Sequence, residues 1–173
     1  GPAMTRVAGR VADGLFLHSF TTEKYVREVT LPELARGAEQ AGRDLSDIEV
    51  SGGGMMALGE NEEEIEQKLL ALRQPISFYG STRTYLNVFD THGLGELGLM
   101  LHDMSLRGEW DRMIESVPMD VVREFAVTST YDVLPDVLAK RMDYATRVSF
   151  DAPSETPEEE ARLVELIRRV QAI

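Results

Sequence analysis

The sequence predicts an α/β fold in which short parallel strands alternate with crossover helices. Three apolar runs, at residues 15–20, 48–59 and 147–153, suit buried strands, and amphipathic segments of helical period separate them. With 173 residues, of which 43% are hydrophobic, the chain can bury the core of one average domain. Three strands form a poor parallel sheet by themselves, because its two edges and both faces need covering. The predicted fold therefore looks incomplete.

Helices are predicted on both sides of the first strand. Residues 4–12 have helical spacing, with an apolar face that comprises Met4, Val7, Ala8 and Val11. After the strand, Thr21 and Thr22 supply hydroxyls that suit a helix cap, Glu23 is an early acidic residue, and a proline is favoured in a first helical turn. We expect the second helix to restart at Pro32 and to end at Gly42.

Residues 48–59 are predicted as one strand, in which Gly52 to Gly54 would let a ligand or a neighbouring strand come close. A helix capped by Asn61 follows, with acidic residues in its first turn and an apolar face at positions 65, 69 and 72. Residues 75–118 interrupt the alternation of strands and helices. We predict an insertion of loops and short helices there.

After the insertion, residues 117–129 are predicted as a short helix that leads into a turn. Ser129 or Thr130 would then cap a helix that runs to about Met142, with Pro135 in its first turn.

The chain ends in a predicted amphipathic helix, residues 154–173, with acidic residues first and basic residues last. Residues 1–153 would accordingly form the α/β unit that carries the insertion. This C-terminal helix would follow the unit.

Composition narrows the choice of partners and compartment. The formal net charge is −12, and the acidic residues are spread along most of the chain, which disfavours nucleic acid and anionic membranes. The chain has no cysteine, which excludes disulfides, thiolate metal sites and cysteine nucleophiles. No apolar run approaches the length of a membrane helix, and no secretory leader is recognised. We therefore expect a cytoplasmic protein without nucleic-acid or membrane partners.

An ordered set of motifs resembles the luciferase-like monooxygenase superfamily, and within it the branch that uses the deazaflavin coenzyme F420. The N-terminal part of the set is GPAMTRVAGRVADGLFLH followed by PELARGAEQAGRD. The later part is ISFYGSTRTYLNVFDTHG, RGEWDRM and DVVREFAVTSTYDVLPDVLAKRM. The resemblance covers residues 1 to about 153. One departure is Ser129, which stands where the family usually has glycine.

The resemblance implies a fold and an activity. Members of the family are (β/α)₈ barrels that bind flavin or deazaflavin at the C-terminal mouth, and a barrel takes about 250 residues. This chain matches the second half only, so we expect the C-terminal half of such a barrel, with the last three strands. The implied function is part of an F420-dependent oxidoreductase that passes a hydride between coenzyme and an organic substrate. FMN is the alternative cofactor.

By the same resemblance, the turn formed by residues 1–5 would bind the coenzyme phosphate. A helix N-terminus offers unpaired N–H groups and a positive dipole end. The predicted phosphate ligands are Gly1, Pro2, Ala3, Met4 and Thr5. A second interpretation stays open, in which Gly1 to Ala3 are left from a purification tag and the helix begins at Met4.

Three more side chains are candidates for the site. His18 ends the first strand, where functional groups of barrels collect, and could contact coenzyme or substrate; a histidine satisfied by the backbone is the alternative. Tyr79 and Tyr85, with Phe78 and Phe89, could form an aromatic wall for substrate or merely pack the insertion. No metal site is expected, because the histidines lack ligand spacing. No catalytic residue is assigned, since in this family the cofactor carries the hydride chemistry.

A rival hypothesis is a non-catalytic half-barrel that acts as a subunit or interaction module. Open strand edges favour pairing. The chain would then form a homo-oligomer or combine with a separate N-terminal half-barrel.

Overall fold

The computed structural model describes residues 1–52 and 54–173, and in them short parallel strands lie among many helices. The strands are β1 (Gly14–Phe16), β2 (Glu49–Gly52), β3 (Met55–Gly59), β4 (Ala126–Thr130) and β5 (Arg147–Val148). The α-helices are α1 (Pro2–Val11), α2 (Glu23–Tyr25), α3 (Leu31–Gln40), α4 (Glu62–Gly80), α5 (Leu86–Thr91), α6 (Gly95–Leu106), α7 (Trp110–Glu115), α8 (Met119–Phe125), α9 (Leu134–Arg141) and α10 (Pro157–Gln171). Across the described ranges, every helix is too short or too polar to serve as a membrane span.

The three predicted strand regions do meet in one parallel sheet. Its order is β1-β2-β5, with Leu15 opposite Val50 and Ser51 opposite Arg147. The strands are shorter than predicted, since β1 ends at Phe16 and β5 at Val148. Phe16 is 79% exposed, so the prediction of a buried strand is wrong for β1.

The prediction of one strand over residues 48–59 is wrong, because the region forms two strands in two sheets. β2 belongs to the three-stranded sheet, whereas β3 pairs in parallel with β4. Between them, Gly54 has a φ of 61°, in the left-handed region that favours glycine. A methyl group on Gly52 would lie 2.8 Å from the Met142 Cε atom, so a side chain fills the predicted close approach there. Gly53 lies outside the described residues.

Strand β4 is a second correction, since a helix followed by a turn was expected there. Its β-branched sequence AVTST pairs with β3 along its whole length, and Ser129 is buried. Ser129 and Thr130 therefore do not cap the next helix, and α9 begins at Leu134 without a side-chain cap. Pro135 lies in the first turn of α9, as predicted.

The helical region after β1 has two parts, α2 and α3. Thr22 caps α2 by accepting a hydrogen bond from the Tyr25 N–H, and a π-helical segment, Val26–Thr30, connects α2 to α3. The expected restart near Pro32 is confirmed, because α3 begins at Leu31 with Pro32 in its first turn. The C-terminal helix is confirmed: Thr156 and Glu159 form a reciprocal capping box at the start of α10.

Helix α1 is confirmed, but most of its apolar face is exposed instead of packing on the fold. Met4, Val7 and Val11 are 69%, 42% and 73% exposed. The face that packs on α3 centres on Gly9, where an added methyl group would overlap the Leu34 carbonyl oxygen. Gly37 of α3 is equally close to α1, so two glycines let the helix backbones touch.

Helix α4 continues through Pro75 to Gly80, so the predicted insertion at 75–118 starts inside a helix. Helices α5, α6 and α7 occupy the rest of it. Their apolar side chains join the largest core cluster, which includes Phe20, Phe89, Leu101 and Phe125. This core positions the C-terminal end of α4 beside the residues that follow β1.

Candidate functional site

The N-terminus of α1 and the residues after β1 lie at the same edge of the sheet. Helix α1 ends at Val11, three residues before β1 begins at Gly14. A crossover helix runs antiparallel to the strands it connects, so α1 begins at the carboxyl edge. This edge is where α/β barrels place their ligands.

His18 contacts two tyrosines at this edge. Its ring centroid lies 4.8 Å from that of Tyr79, edge-on, and 4.8 Å from that of Tyr85. Its Nδ1 atom accepts a hydrogen bond of 3.0 Å from the Phe20 backbone N–H. The neutral ring therefore carries its proton on Nε2. Because His18 is exposed, this N–H can donate to a ligand.

We name His18, Tyr79 and Tyr85 the aromatic cluster. The two tyrosine rings are 5.8 Å apart and half-buried. The fully buried Phe20 supports both, at 6.0 Å from Tyr79 and 5.7 Å from Tyr85. The structure thus brings together the predicted coenzyme-contacting histidine and the two predicted substrate-contacting tyrosines.

The other two predicted wall residues have different surroundings. Phe89 is completely buried and packs on Phe20 and Phe125, so it belongs to the core. Phe78 packs against Tyr79 at 5.5 Å but is 54% exposed.

The turn at residues 1–5 has fewer open donors than the sequence suggested. The Thr5 N–H donates to the Gly1 carbonyl at 3.1 Å, and the Thr5 hydroxyl donates to the same oxygen at 3.3 Å. Pro2 has no N–H. The N–H groups of Ala3 and Met4 precede the first intrahelical hydrogen bond, and they point toward the carboxyl edge as the donors open to an anion.

Sequence reasoning missed a polar chain behind the cluster. The Thr22 Oγ1 atom lies 2.8 Å from His92 Nε2, and His92 Nδ1 lies 3.5 Å from Glu124 Oε1. Burial lowers the pKa of His92, while Glu124 acts in the opposite sense. The capping motif at Thr22 was a usable signal, but its histidine partner is distant in sequence. Among the described residues, no three His, Asp or Glu side chains are grouped as metal ligands would be.

The fold and the site together define the class of protein. The chain has the predicted fold of the C-terminal half of a (β/α)₈ barrel, with its candidate site at the carboxyl edge of the strands. It superposes with a TM-score of 0.69 and 22% identity on the coenzyme F420 dependent tetrahydromethanopterin reductase from Methanopyrus kandleri. The match covers 96% of this chain and 46% of that one.

The chain belongs to the luciferase-like monooxygenase family, whose model matches residues 1–150. An uncharacterized protein of Mycobacterium tuberculosis is 38% identical over 143 residues, which are 83% of this chain and 42% of the relative. The 5,10-methylenetetrahydromethanopterin reductase of Methanopyrus kandleri is 25% identical over 171 residues, 96% of this chain and 46% of the relative. The chain therefore spans less than half the length of these relatives.

Proposed function

We propose that this chain is the C-terminal part of an F420-dependent oxidoreductase that passes a hydride between the deazaflavin and an organic substrate. The family assignment and the relatives with F420-dependent or methanopterin reductase names support this kind of function. The observation that carries the proposal is the meeting of His18 with Tyr79 and Tyr85 at the carboxyl edge.

The residues present suit such a coenzyme. A deazaflavin offers a planar ring with polar edges and a phosphate-bearing tail, and the bound coenzyme supplies the hydride chemistry. The N–H groups of Ala3 and Met4 would bind the phosphate at the positive end of α1. The exposed Nε2–H of His18 would donate a hydrogen bond to coenzyme or substrate, and the Tyr79 and Tyr85 rings would exclude water from one side.

Direct titration of the chain tests this proposal. Adding protein to oxidised F420 should quench the coenzyme fluorescence saturably. His18→Ala should weaken binding about tenfold, the equivalent of one lost hydrogen bond of about 1.4 kcal/mol. Glu39→Gln is the control, because this exposed residue lies near the C-terminal end of α3, at the opposite edge of the sheet.

Two results would overturn the proposal. Equal binding by His18→Ala and Glu39→Gln would remove His18 from the site. Saturable binding of FMN without binding of F420 would replace the deazaflavin by the alternative cofactor.

A second candidate function, a half-barrel subunit, is favoured by the open edges of the three-stranded sheet. In the described residues, β1 and β5 each pair with β2 alone. Phe16 on β1 is 79% exposed, and Met4, Val7 and Val11 on α1 are exposed as well. At the other edge, an open groove of about 900 Å³ separates β5 from α9 and α10 and includes Ile167 and Ile173. Such edges and apolar surfaces would be covered by an N-terminal half-barrel or by a second copy.

A further inference from the structure

A second cavity lies beside Phe78 and Tyr79, between the C-terminal half of α4 and helix α7. Its volume is about 450 Å³, within the range of small-molecule sites. The residues that line it are Gln74, Pro75, Ser77, Phe78, Tyr79, Trp110, Met113 and Ile114.

The chemistry of this cavity is apolar and uncharged. None of its lining residues is acidic or basic, although 28% of the chain is charged and the net charge is −12. The Ser77 hydroxyl is already donated to the Gln74 carbonyl at 2.8 Å. The Gln74 amide and the Tyr79 hydroxyl are left as polar groups that could orient a ligand. An ion would find no counter-charge here.

Two large aromatic side chains that line the cavity are about half exposed to solvent. Phe78 is 54% exposed and Trp110 is 51% exposed. Exposed aromatic side chains gathered in one place mark a binding surface more often than isolated ones do. Rings of this kind stack on planar apolar groups.

The size of the cavity favours a small molecule over a protein. Its concave shape and its volume of about 450 Å³ are those of a pocket for a small ligand. Tyr79 links the cavity to the candidate site, because it lines the cavity and contacts His18.

We propose that this cavity binds a neutral, planar apolar group, and that this group is part of the organic substrate. Its role as a substrate site rests on the proposed function, whereas the binding itself does not. The coenzyme would occupy the His18 side of Tyr79 and the apolar group the Trp110 side. The site therefore selects uncharged ring systems over anionic ones.

The single tryptophan of the chain makes the test site-specific. The indole N–H of Trp110 gives one resonance in a ¹H–¹⁵N spectrum of labelled protein. Adding 2-naphthol should shift this resonance saturably, and 2-naphthoate should bind at least about tenfold more weakly, since its carboxylate would be desolvated without a partner. Phe78→Ala should weaken 2-naphthol binding about fivefold or more through the lost ring contact.

Leu70→Ala is the matched control. Leu70 is 53% exposed on the same helix, two turns before Phe78, but it does not line the cavity. Its loss should leave 2-naphthol binding unchanged, and thermal midpoints of both variants check that each is folded.

Three results would overturn the site: no saturable shift of the indole resonance, equal effects of Phe78→Ala and Leu70→Ala, or equal affinities for 2-naphthol and 2-naphthoate. A dimer that dissociates on Phe78→Ala in sedimentation experiments would also overturn it, by assigning the surface to contact between copies. Binding of 2-naphthol without binding of F420 would contradict the proposed function and leave the cavity site intact.

Discussion

His92 lies at the end of one helix and contacts two others through its ring nitrogens. One nitrogen contacts Thr22, which caps α2; the other faces Glu124 of α8; and the residue itself ends α5. Its side chain is 8% exposed, and burial lowers its pKa despite the opposing charge of Glu124. Lys24 also disfavours the charged ring, and Glu28 favours it. At the scale of single residues, this histidine is therefore a site of pH-dependent stability.

The expected sign follows from proton binding. The unfolded chain binds a proton at the ordinary histidine pKa of about 6.5, whereas the folded chain does so only at lower pH. The contribution of His92 to folding stability is therefore complete above the unfolded-state pKa of about 6.5. It is lost as the pH falls from there toward the lower pKa of the folded state. The thermal midpoint should drop between about pH 7.5 and 5.5, and His92→Gln should reduce that drop. An unchanged pH dependence in His92→Gln would contradict this role.

At the scale of elements, the contact between α1 and α3 depends on two glycines. Gly9 and Gly37 face each other, and a methyl group at either would overlap backbone atoms of the other helix. The helices must separate to accept any larger side chain. Because α1 carries the predicted phosphate donors, this contact also sets where those donors lie.

Gly9→Ala tests that contact, because a close contact and an open helix predict opposite changes in the free energy of unfolding. In an open helix, replacing glycine by alanine would stabilise the fold by about 0.5–1 kcal/mol. Here the overlap with the Leu34 carbonyl should instead lower the free energy of unfolding by about 2 kcal/mol in urea denaturation. Arg10→Ala, at the exposed neighbouring position, should cost little. A stabilised Gly9→Ala variant would show that the helices are not in close contact.

Elements with local sequence signals were predicted correctly, and elements that depend on distant pairing were not. Helices α1, α4 and α10 carry local signals, such as the Asn61 cap and the box of Thr156 and Glu159, so the sequence located them. Strand β4 and the division between β2 and β3 depend on pairing between distant segments, which local patterns do not contain. The buried face of α1 likewise depends on a glycine of another helix.

The candidate site was predictable as separate residues but not as an arrangement. His18 was placed by its position after a strand, and Tyr79 and Tyr85 were selected by residue type. Their contact arises because the core around Phe20 holds α4 beside the end of β1. The partnership of His92 with Thr22 had no local signal, because it crosses from the insertion to the α2 cap.

At the scale of the whole molecule, the open sheet edges predict association. The chain alone should self-associate in sedimentation velocity experiments, or bind an N-terminal half-barrel of a longer relative. Phe16→Ser should weaken that association at the β1 edge. Leu106→Ser is the control, because Leu106 is 74% exposed on α6, in the insertion. A monomer that does not bind the other half, or equal effects of the two substitutions, would contradict the subunit interpretation.

The central claim is that this chain carries coenzyme-binding residues at the carboxyl edge of its sheet. The most direct measurement is a titration of ¹⁵N-labelled protein with oxidised F420, followed by amide chemical shifts. The account predicts saturable changes at Ala3 and Met4 and around His18, Tyr79 and Tyr85. The absence of saturable shifts, or changes confined to the opposite edge near Asp13 and Gly42, would contradict it.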